Sequence, residues 1–417
     1  MSLFPEYTPA LIIGAGPAGV TTSLFLTKFG VDHLVIDKAK FPRDKICGDA
    51  LSGKVVALFG ELGLEYIDQI EAKPAEFLPC PGISFVAPNG KCLSVPFRNT
   101  VSGRETAAGF ISKRIHFDQF MVDHLEAGRL REQCELVSFE RKPDGVHALV
   151  KFEGNTYPIR TEIIVGAEGE RSIVAKQLAG YVKSKDHYCA AVRAYYSGVE
   201  PGPDAGYIEL LFLQEALPGY LWVFPLPNGQ WNVGVGMVSN KVSKNKVNLK
   251  KLMDELLTTH PLLRTRFANA KPESPVQGWG LPLGSKKWTL AGERYLLTGD
   301  AGSLIDPFTG EGIGNAMYSG KLAAEAIQKA LIANDFSVKQ LRNYETGVYA
   351  ALGQELKIGN TLQKLTNFPW FFNFVVGKAV KNSTLRETII CMFEDINLRD
   401  KLRNPMFYFR LLFNKVA

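Results

Sequence analysis

The sequence predicts an α/β protein: a Rossmann-like domain interrupted by an antiparallel β-rich insertion and followed by a helical region. Three observations predict it. Residues 9–38, PALIIGAGPAGVTTSLFLTKFGVDHLVIDK, read as strand, glycine turn, helix and strand. Residues 181–285 alternate apolar and polar positions in short runs, as antiparallel strands do. Residues 294–331 return to strand, loop and long helix. The predicted partition assigns 1–75, 105–180 and 286–331 to a nucleotide domain, 76–104 and 181–285 to a β-rich substrate domain, and 332–417 to the helical region.

Taken in order, Leu11-Ile12-Ile13 is a short apolar run, as expected of a buried parallel strand. The turn Gly14-Ala15-Gly16-Pro17-Ala18-Gly19 has G-x-G-x-x-G spacing. The first glycine suits a tight turn, the second a close approach of backbone to a pyrophosphate, and the third close packing of helix on strand. The helix start offers N–H groups and a positive dipole end to phosphate oxygens. His33 to Ile36 is the next strand, closed by Asp37-Lys38, which makes both residues cofactor-binding candidates. Asp37 stands close to the spacing, about 20 residues, of a carboxylate that bonds a ribose hydroxyl. This stretch alone suits NAD or FAD.

Further along, Phe117, Phe120, Met121 and Leu125 share one face of a predicted helix within 112–128. ELVSFERK and HALVKFE flank the turn Pro143-Asp144-Gly145 and predict a hairpin. TEIIVGAEGERSIVAKQL (161–178) reads as strand, turn and helix. In the middle region Pro227-Asn228-Gly229 separates two predicted strands, and a short helix is expected over 248–257.

A second motif separates the two nucleotides. YLLTGDAG ends an apolar strand at Gly299-Asp300, and IDPFTGEGIGNAM opens a helix at Gly312-Ile313 after Gly310. A carboxylate at Asp300 suits a polyol chain, and a helix start suits an electron-rich ring edge. FAD has a ribityl chain and such a ring; NAD has neither. The expected cofactor is FAD, held by both motifs.

Composition sets limits. The chain has 417 residues, 46% hydrophobic and 22% charged, as in a soluble globular protein. The net charge of +6 suits an anionic cofactor or an acidic membrane surface, and no basic block with interleaved aromatics points to nucleic acid. Cys47, Cys80, Cys92, Cys134, Cys189 and Cys391 form no C-x-x-C pair, so no metal site is expected. The same sparse cysteines argue against a disulfide framework and for a reducing, cytoplasmic compartment. The N-terminus does not read as a signal peptide, and no run reaches the ~18 apolar residues of a membrane span.

The two motifs together resemble the glutathione-reductase-type flavoproteins, in the branch containing p-hydroxybenzoate hydroxylase, over roughly residues 9–330. The branch's middle G-A-D-G motif stands here as Gly166-Ala167-Glu168-Gly169, with Glu168 in the aspartate's place. The resemblance implies that Arg114 contacts the FAD pyrophosphate or adenosine; a solvated charge at a helix start is the bland alternative. Within the branch, KICGDALS (45–52) is similar to the K-x-C-G-G segment of geranylgeranyl reductases, with Asp49 in the second glycine's place. PGYLWVFPLP (218–227) is similar to their Y-x-W-x-F-P signature through Tyr220, Trp222, Phe224 and Pro225, with Leu217 where the family's proline stands.

The resemblance implies reduction of carbon–carbon double bonds in a prenyl chain. Reduced FAD supplies hydride, the other carbon takes a proton, and the protein orients both. Cys47, Tyr220 and Trp222 are the catalytic candidates, and Cys47 and Gly48 also lie in a loop that the family brings near the flavin. Cys47 is equally well a small buried hydrophobe. Tyr220, Trp222 and Phe224 share one face of a strand and form either a hydrocarbon-binding wall or core packing. The electron source is NAD(P)H, a ferredoxin, a reductase or another transient donor.

Three alternatives stay open: an aromatic monooxygenase or halogenase of the same fold, a quinone reductase, and a non-catalytic flavin-bearing lipid carrier. The halogenase signature W-x-W-x-I-P differs from the stretch found here, and the cysteine spacing lacks the quinone reductase's iron–sulfur cluster. FPWFFNFVVGKAVK and NPMFYFRLLFNKVA mix bulky apolar residues with Lys and Arg. They read as interfacial segments for peripheral membrane contact or as an ordinary helical cap.

Overall fold

The computed structural model describes residues 4–97, 99–101 and 104–380. NPMFYFRLLFNKVA and Cys391 lie outside these residues. Among the described residues no helix is long and apolar enough to cross a membrane. The chain forms two compact units, each assembled from three stretches: Met1–Lys45, Arg114–Ser184 and Leu281–Lys357 in the first, and Ile46–Lys113, Lys185–Gly280 and Ile358–Ala417 in the second.

The first unit is built on a mixed sheet. Leu130–Arg131, Leu34–Ile36, Tyr7–Ile13 and Asn155–Gly166 lie side by side and parallel. Strand Asn155–Gly166 does two jobs along its length. Its first half, from Asn155 to Thr161, pairs antiparallel with Gly145–Phe152, which pairs in turn with Glu135–Lys142. Its last residues, Ile164 to Gly166, pair parallel with Tyr295–Leu297. Leu11, Ile13, Leu34, Ile36, Ile164 and Leu297 are buried in one cluster with Val146, Ala148 and Val150 of the hairpin. These are the apolar runs expected of a sheet covered on both faces.

The helix Pro17–Lys28 is buried from Ala18 through Leu26. A helix buried all round must pack on both sides. Its second neighbour is the helix Ile313–Ala333, and the crossing is tight: a Cβ on Gly320 would come 2.4 Å from the Ala18 carbonyl oxygen. The 112–128 helix forms over Arg114–Asp123, with Phe117, Phe120 and Met121 buried as expected. Leu125 lies just beyond its end.

The second unit centres on a seven-stranded path: Lys271–Pro272, Tyr188–Ser197, Gln230–Val238, Gly219–Pro225, Ile208–Leu211, Gly82–Val86 and Cys92–Pro96. All neighbours are antiparallel except Ile208–Leu211 and Gly82–Val86, which run parallel. That pair joins strands more than a hundred residues apart in sequence, where no hairpin constrains direction. The Pro227-Asn228-Gly229 turn forms as expected, with Asn228 and Gly229 at φ +63° and +70°. The short helix spans Leu249–Thr259, its N-terminus capped by the Asn248 side chain, which accepts from the Lys250 and Lys251 amides. Its Leu249, Met253, Leu256 and Leu257 pack with Leu221, Val223, Val233 and Val235 from one face of the sheet. Helix Pro369–Ala379 also belongs to this unit, whereas helix Val338–Leu365 belongs to the first unit as far as Lys357.

His33 is a buried titratable group in the first unit. Its Nδ1–H donates to the Val31 carbonyl at 2.8 Å, which leaves Nε2 to accept from the Ser23 hydroxyl at 2.6 Å. Burial lowers its pKa from the ordinary 6.5. A depressed folded-state pKa means a contribution to stability that is present above the unfolded value and lost as pH falls. The thermal midpoint is expected to drop on going from about pH 7.5 to about pH 5, and His33→Gln to flatten that drop. Thermal melts of the two proteins at both pH values check it.

Candidate functional site

The first unit collects its motifs at one edge. The register places Ile36, Ile13, Gly166 and Leu297 in one row across four adjacent strands. The residues that follow, Asp37, Gly14, Ala167 and Thr298, begin neighbouring loops at the carboxyl ends of those strands. Open α/β sheets bind ligands there.

The glycine turn is built by close approach. Gly14 has φ +104°, and a Cβ on it would come 2.6 Å from the Ala167 carbonyl oxygen. A Cβ on Gly19 would come 1.9 Å from the Gly14 carbonyl oxygen. Pro17 takes the first helical position, where no N–H is needed. The helix start at Gly16 has no side-chain cap, so its first N–H groups are available to an anion. Asp37 steadies the turn: its carboxylate accepts from the Ala15 and Ala39 amides, both at 2.8 Å. Lys38 beside it is exposed.

Arg114 is not the solvated charge of the bland alternative. It is 1% exposed and held by Asp118 at 2.6 and 2.7 Å. Asp118 also takes Arg43 at 2.7 Å, and a Cβ on Gly16 would come 3.8 Å from Arg43 Nη2. A guanidinium thus stands beside the glycine turn. Sequence reasoning missed Arg43, because no spacing rule links a loop arginine to the turn.

The second motif adjoins the first. Gly299, at φ +56°, would place a Cβ 3.2 Å from Ala18 Cβ and 2.9 Å from Ala316 Cβ. Asp300 accepts from Lys45 Nζ at 3.3 Å, and a Cβ on Gly312 would come 3.8 Å from Asp300 Oδ1. Gly310 turns at φ +75°, braced by Asp306, which accepts from the Phe308 and Thr309 amides. Ile313 is the buried first residue of the long helix. The helix start is partly satisfied already, since Glu311 accepts from the Gly314 amide at 2.6 Å. Glu168 caps another helix: its Oε1 accepts from the Ile173 and Val174 amides at 2.9 and 3.1 Å. Burial raises its pKa against the lowering effect of those bonds.

The second unit brings together Cys47, Gly48, Tyr220 and Trp222. Strand Gly219–Pro225 divides its side chains as a pleat requires. Leu221 and Val223 enter the core beneath helix Leu249–Thr259. Tyr220, Trp222 and Phe224 take the opposite face, opposite Gly236, Gly234 and Asn232 on the neighbouring strand. A Cβ on Gly234 would come 2.2 Å from the Trp222 ring, so the indole lies flat on the glycine. The result is an aromatic shelf, distinct from the helix-covered core. Phe224 is covered: a Cβ on Gly48 would meet its ring at 3.2 Å. Tyr220 is half-buried and Trp222 is 8% exposed.

Polar groups frame the shelf. Asn232 accepts from the Trp222 indole N–H at 2.8 Å and donates to the Cys47 carbonyl and to Asp49 Oδ2, both at 2.7 Å. The Tyr195 hydroxyl donates to the same Asp49 oxygen at 2.9 Å. Arg193 and Lys113 stand over the Tyr195 ring at 4.0 and 4.5 Å. Sequence reasoning assigned no role to Lys45, Tyr195 or Asn232. Asn232 did leave a signal, as a polar side chain directly before the apolar run VGVGMV. Cys47 is half-buried, whereas burial pushes the Cys80 thiol up to about 11 and Cys134 up to about 12. Those two are inert at neutral pH.

The model of the family described as "FAD binding domain" matches residues 7–331. The digeranylgeranylglycerophospholipid reductase of Methanosarcina acetivorans is 30% identical over 336 residues, covering 79% of this chain and 77% of its own. The chain belongs to the geranylgeranyl reductase family of FAD-binding proteins. It is an FAD-dependent oxidoreductase. A menaquinone reductase of Mycolicibacterium smegmatis is 27% identical over 402 residues, 90% of this chain and 88% of the relative. Two solved structures share the fold of this flavoprotein. A geranylgeranyl bacteriochlorophyll reductase-like protein from Thermoplasma acidophilum has a TM-score of 0.76 at 22% identity, covering 90% of this chain and 92% of its own. A flavin-dependent brominase has a TM-score of 0.75 at 21% identity, covering 95% and 98%.

The residues of this flavoprotein fit its cofactor. The uncapped helix start, the glycine turn and Arg43 suit a pyrophosphate, and the Asp300 carboxylate suits hydroxyl donors. Gly19→Ala forces a Cβ into the Gly14 carbonyl. It is expected to cost about 1–3 kcal/mol of stability and to lower bound flavin. Thermal melts and the flavin-to-protein absorbance ratio check both effects. Asp300→Ala is expected to lower bound flavin at little cost in stability, and an equally yellow variant contradicts the role of Asp300.

Proposed function

We propose that this flavoprotein reduces carbon–carbon double bonds of a prenyl chain. One observation carries the reading: in the second unit Tyr220, Trp222 and Phe224 form an aromatic shelf on the sheet face opposite the helix-covered cluster, with the Trp222 ring lying against Gly234. An apolar aromatic shelf suits a hydrocarbon chain better than a sugar or an acid. The relatives' names point the same way, one to a digeranylgeranyl lipid and another to a quinone.

In this reading the first unit binds FAD and the second binds the chain to be reduced. Gly14, Gly16, Pro17, Ala18, Gly19 and Arg43 hold the pyrophosphate, with Arg114 fixing Asp118 and so Arg43. Asp37 serves the ribose, Lys38 the adenosine end, and Gly299, Asp300, Gly310, Gly312 and Ile313 the ribityl and ring end. Cys47 and Gly48 contribute from their loop. Bound and reduced, FAD supplies the hydride. The protein aligns the alkene and excludes water, and Cys47 or Tyr220 gives the proton to the second carbon. Electrons come from NAD(P)H or another reductant, such as a ferredoxin or a reductase.

The test is anaerobic. After reduction of the yellow protein, a geranylgeranyl lipid, geranylgeranyl diphosphate or a menaquinone is added. Return of flavin absorbance, with a mass gain of hydrogen pairs in the prenyl chain, is the expected result. No return with any prenyl compound, but fast reoxidation by air with an aromatic compound hydroxylated, replaces the reading with a monooxygenase. Trp222→Ala is expected to slow prenyl-dependent reoxidation by about tenfold or more, roughly 1.4 kcal/mol of barrier, with flavin content unchanged.

Peripheral contact with a membrane belongs to the same proposal. Helix Pro369–Ala379 turns Phe372 and Val376 inward, with Phe372 packed on Phe212 at 4.7 Å. Phe368, Trp370 and Phe374 are 53%, 71% and 49% exposed, and Lys378 lies over Phe374. Exposed aromatics beside a cation suit a lipid interface. The protein is expected to sediment with anionic vesicles at low salt, and the double variant Trp370→Ser/Phe374→Ser to sediment less. No sedimentation of the parent protein removes the idea.

A further inference from the structure

Asp49 occupies a place that a glycine would fill more easily. Its φ is +69°, in the left-handed region, and its side chain is 0% exposed. An aspartate tolerates that backbone at a cost, and burying its carboxylate adds another. Both costs are offset only by partners, and the partners are specific. Asp49 Oδ2 accepts from Asn232 Nδ2 and from the Tyr195 hydroxyl, and the Asp49 carbonyl accepts from the Ser112 amide at 3.0 Å.

These bonds settle which way Asn232 points. The Trp222 indole N–H can only donate, so it requires the amide oxygen. The Cys47 carbonyl can only accept, so it requires the amide nitrogen, which also reaches Asp49 Oδ2. One asparagine therefore couples three elements: the Cys47 loop, Asp49 and the indole of the aromatic shelf. Without the Asp49 carboxylate, the second amide hydrogen and the Tyr195 hydroxyl lose their acceptor in a buried site.

We infer that Asp49 is a positioning residue: its carboxylate, acting through Asn232, holds the Cys47 loop and the Trp222 indole in one arrangement on the shelf. Gly48, pressed against Phe224, is set by the same hold, and Tyr220 is the half-buried member of the shelf. The effect on rate rests on the proposed role of that shelf; the effect on the loop does not.

The test compares Asp49→Gly, Asp49→Asn and Asn232→Ala in the flavin-loaded full chain, with two readouts. The first needs no substrate: iodoacetamide labelling of each cysteine followed by peptide mass spectrometry. Asp49→Gly suits the backbone but deletes the acceptor, so Cys47 labelling is expected to rise about tenfold, the scale of one or two lost buried hydrogen bonds. Asn232→Ala is expected to do the same. Asp49→Asn can present its amide oxygen at the Oδ2 place and is expected to label like the parent. Cys80 and Cys134 stay protected wherever the fold is intact.

Unchanged Cys47 labelling in Asp49→Gly overturns the inference, as does equal labelling of Asp49→Asn and Asp49→Gly. If Asp49→Gly exposes Cys80 as well, the comparison of Asn232→Ala with Asp49→Asn decides in the same way. The second readout is anaerobic reoxidation by a geranylgeranyl lipid. A fall in kcat is expected for Asp49→Gly and recovery for Asp49→Asn. If no prenyl compound reoxidises even the parent protein, the functional proposal fails, while the labelling still judges Asp49.

Discussion

The first unit depends on places where a side chain is forbidden. The helix after the glycine turn meets the loop before it so closely that a single carbon on Gly19 would fall inside the Gly14 carbonyl. The same helix meets Ile313–Ala333 at Gly320 with barely more room. Gly299 closes the set, wedged between Ala18 and Ala316. These contacts bring a turn near residue 14 and a turn near residue 300 against one helix. Sheet register does the rest, because Ile36, Ile13, Gly166 and Leu297 end in one row and their loops emerge together. A binding edge follows from backbone geometry before any polar side chain is considered.

The pleat of one strand divides the side chains of the second unit between two faces. Leu221 and Val223 supply the packing against helix Leu249–Thr259, while Tyr220, Trp222 and Phe224 are released to the other face. Gly234 on the adjacent strand gives the Trp222 ring its room. A polar network then fixes its edge, with Asn232 as the shared member. The Cys47 loop and the indole are thus tied to the same asparagine by hydrogen bonds.

The motifs were legible because each rests on a local requirement. Strand, glycine turn and helix follow one another within thirty residues, and the alternation of Tyr220, Trp222 and Phe224 needs only the two-residue period of a strand. The family resemblance rested on the same segments, and the match over residues 7–331 agrees with it. Arg114 was legible as a residue but not as a buried one. Its burial depends on Asp118, one helical turn along, and Asp118 holds Arg43 from a separate loop. Which face of that strand the helix Leu249–Thr259 covers was equally beyond the strand itself.

By itself, the sequence determined the strand–turn–helix–strand start, the hairpin before residue 153, the two glycine motifs and the face that the aromatic residues share. Those are consequences of backbone conformation and short periodicity, which act between near neighbours. Only the tertiary structure decided that Arg43 stands beside the glycine turn, that Lys45 bonds Asp300, that Gly48 covers Phe224, and that Asp49, Tyr195 and Asn232 form one network. Each of these joins residues far apart along the chain. Their meeting depends on strand register and helix crossing, and no spacing in the sequence encodes it.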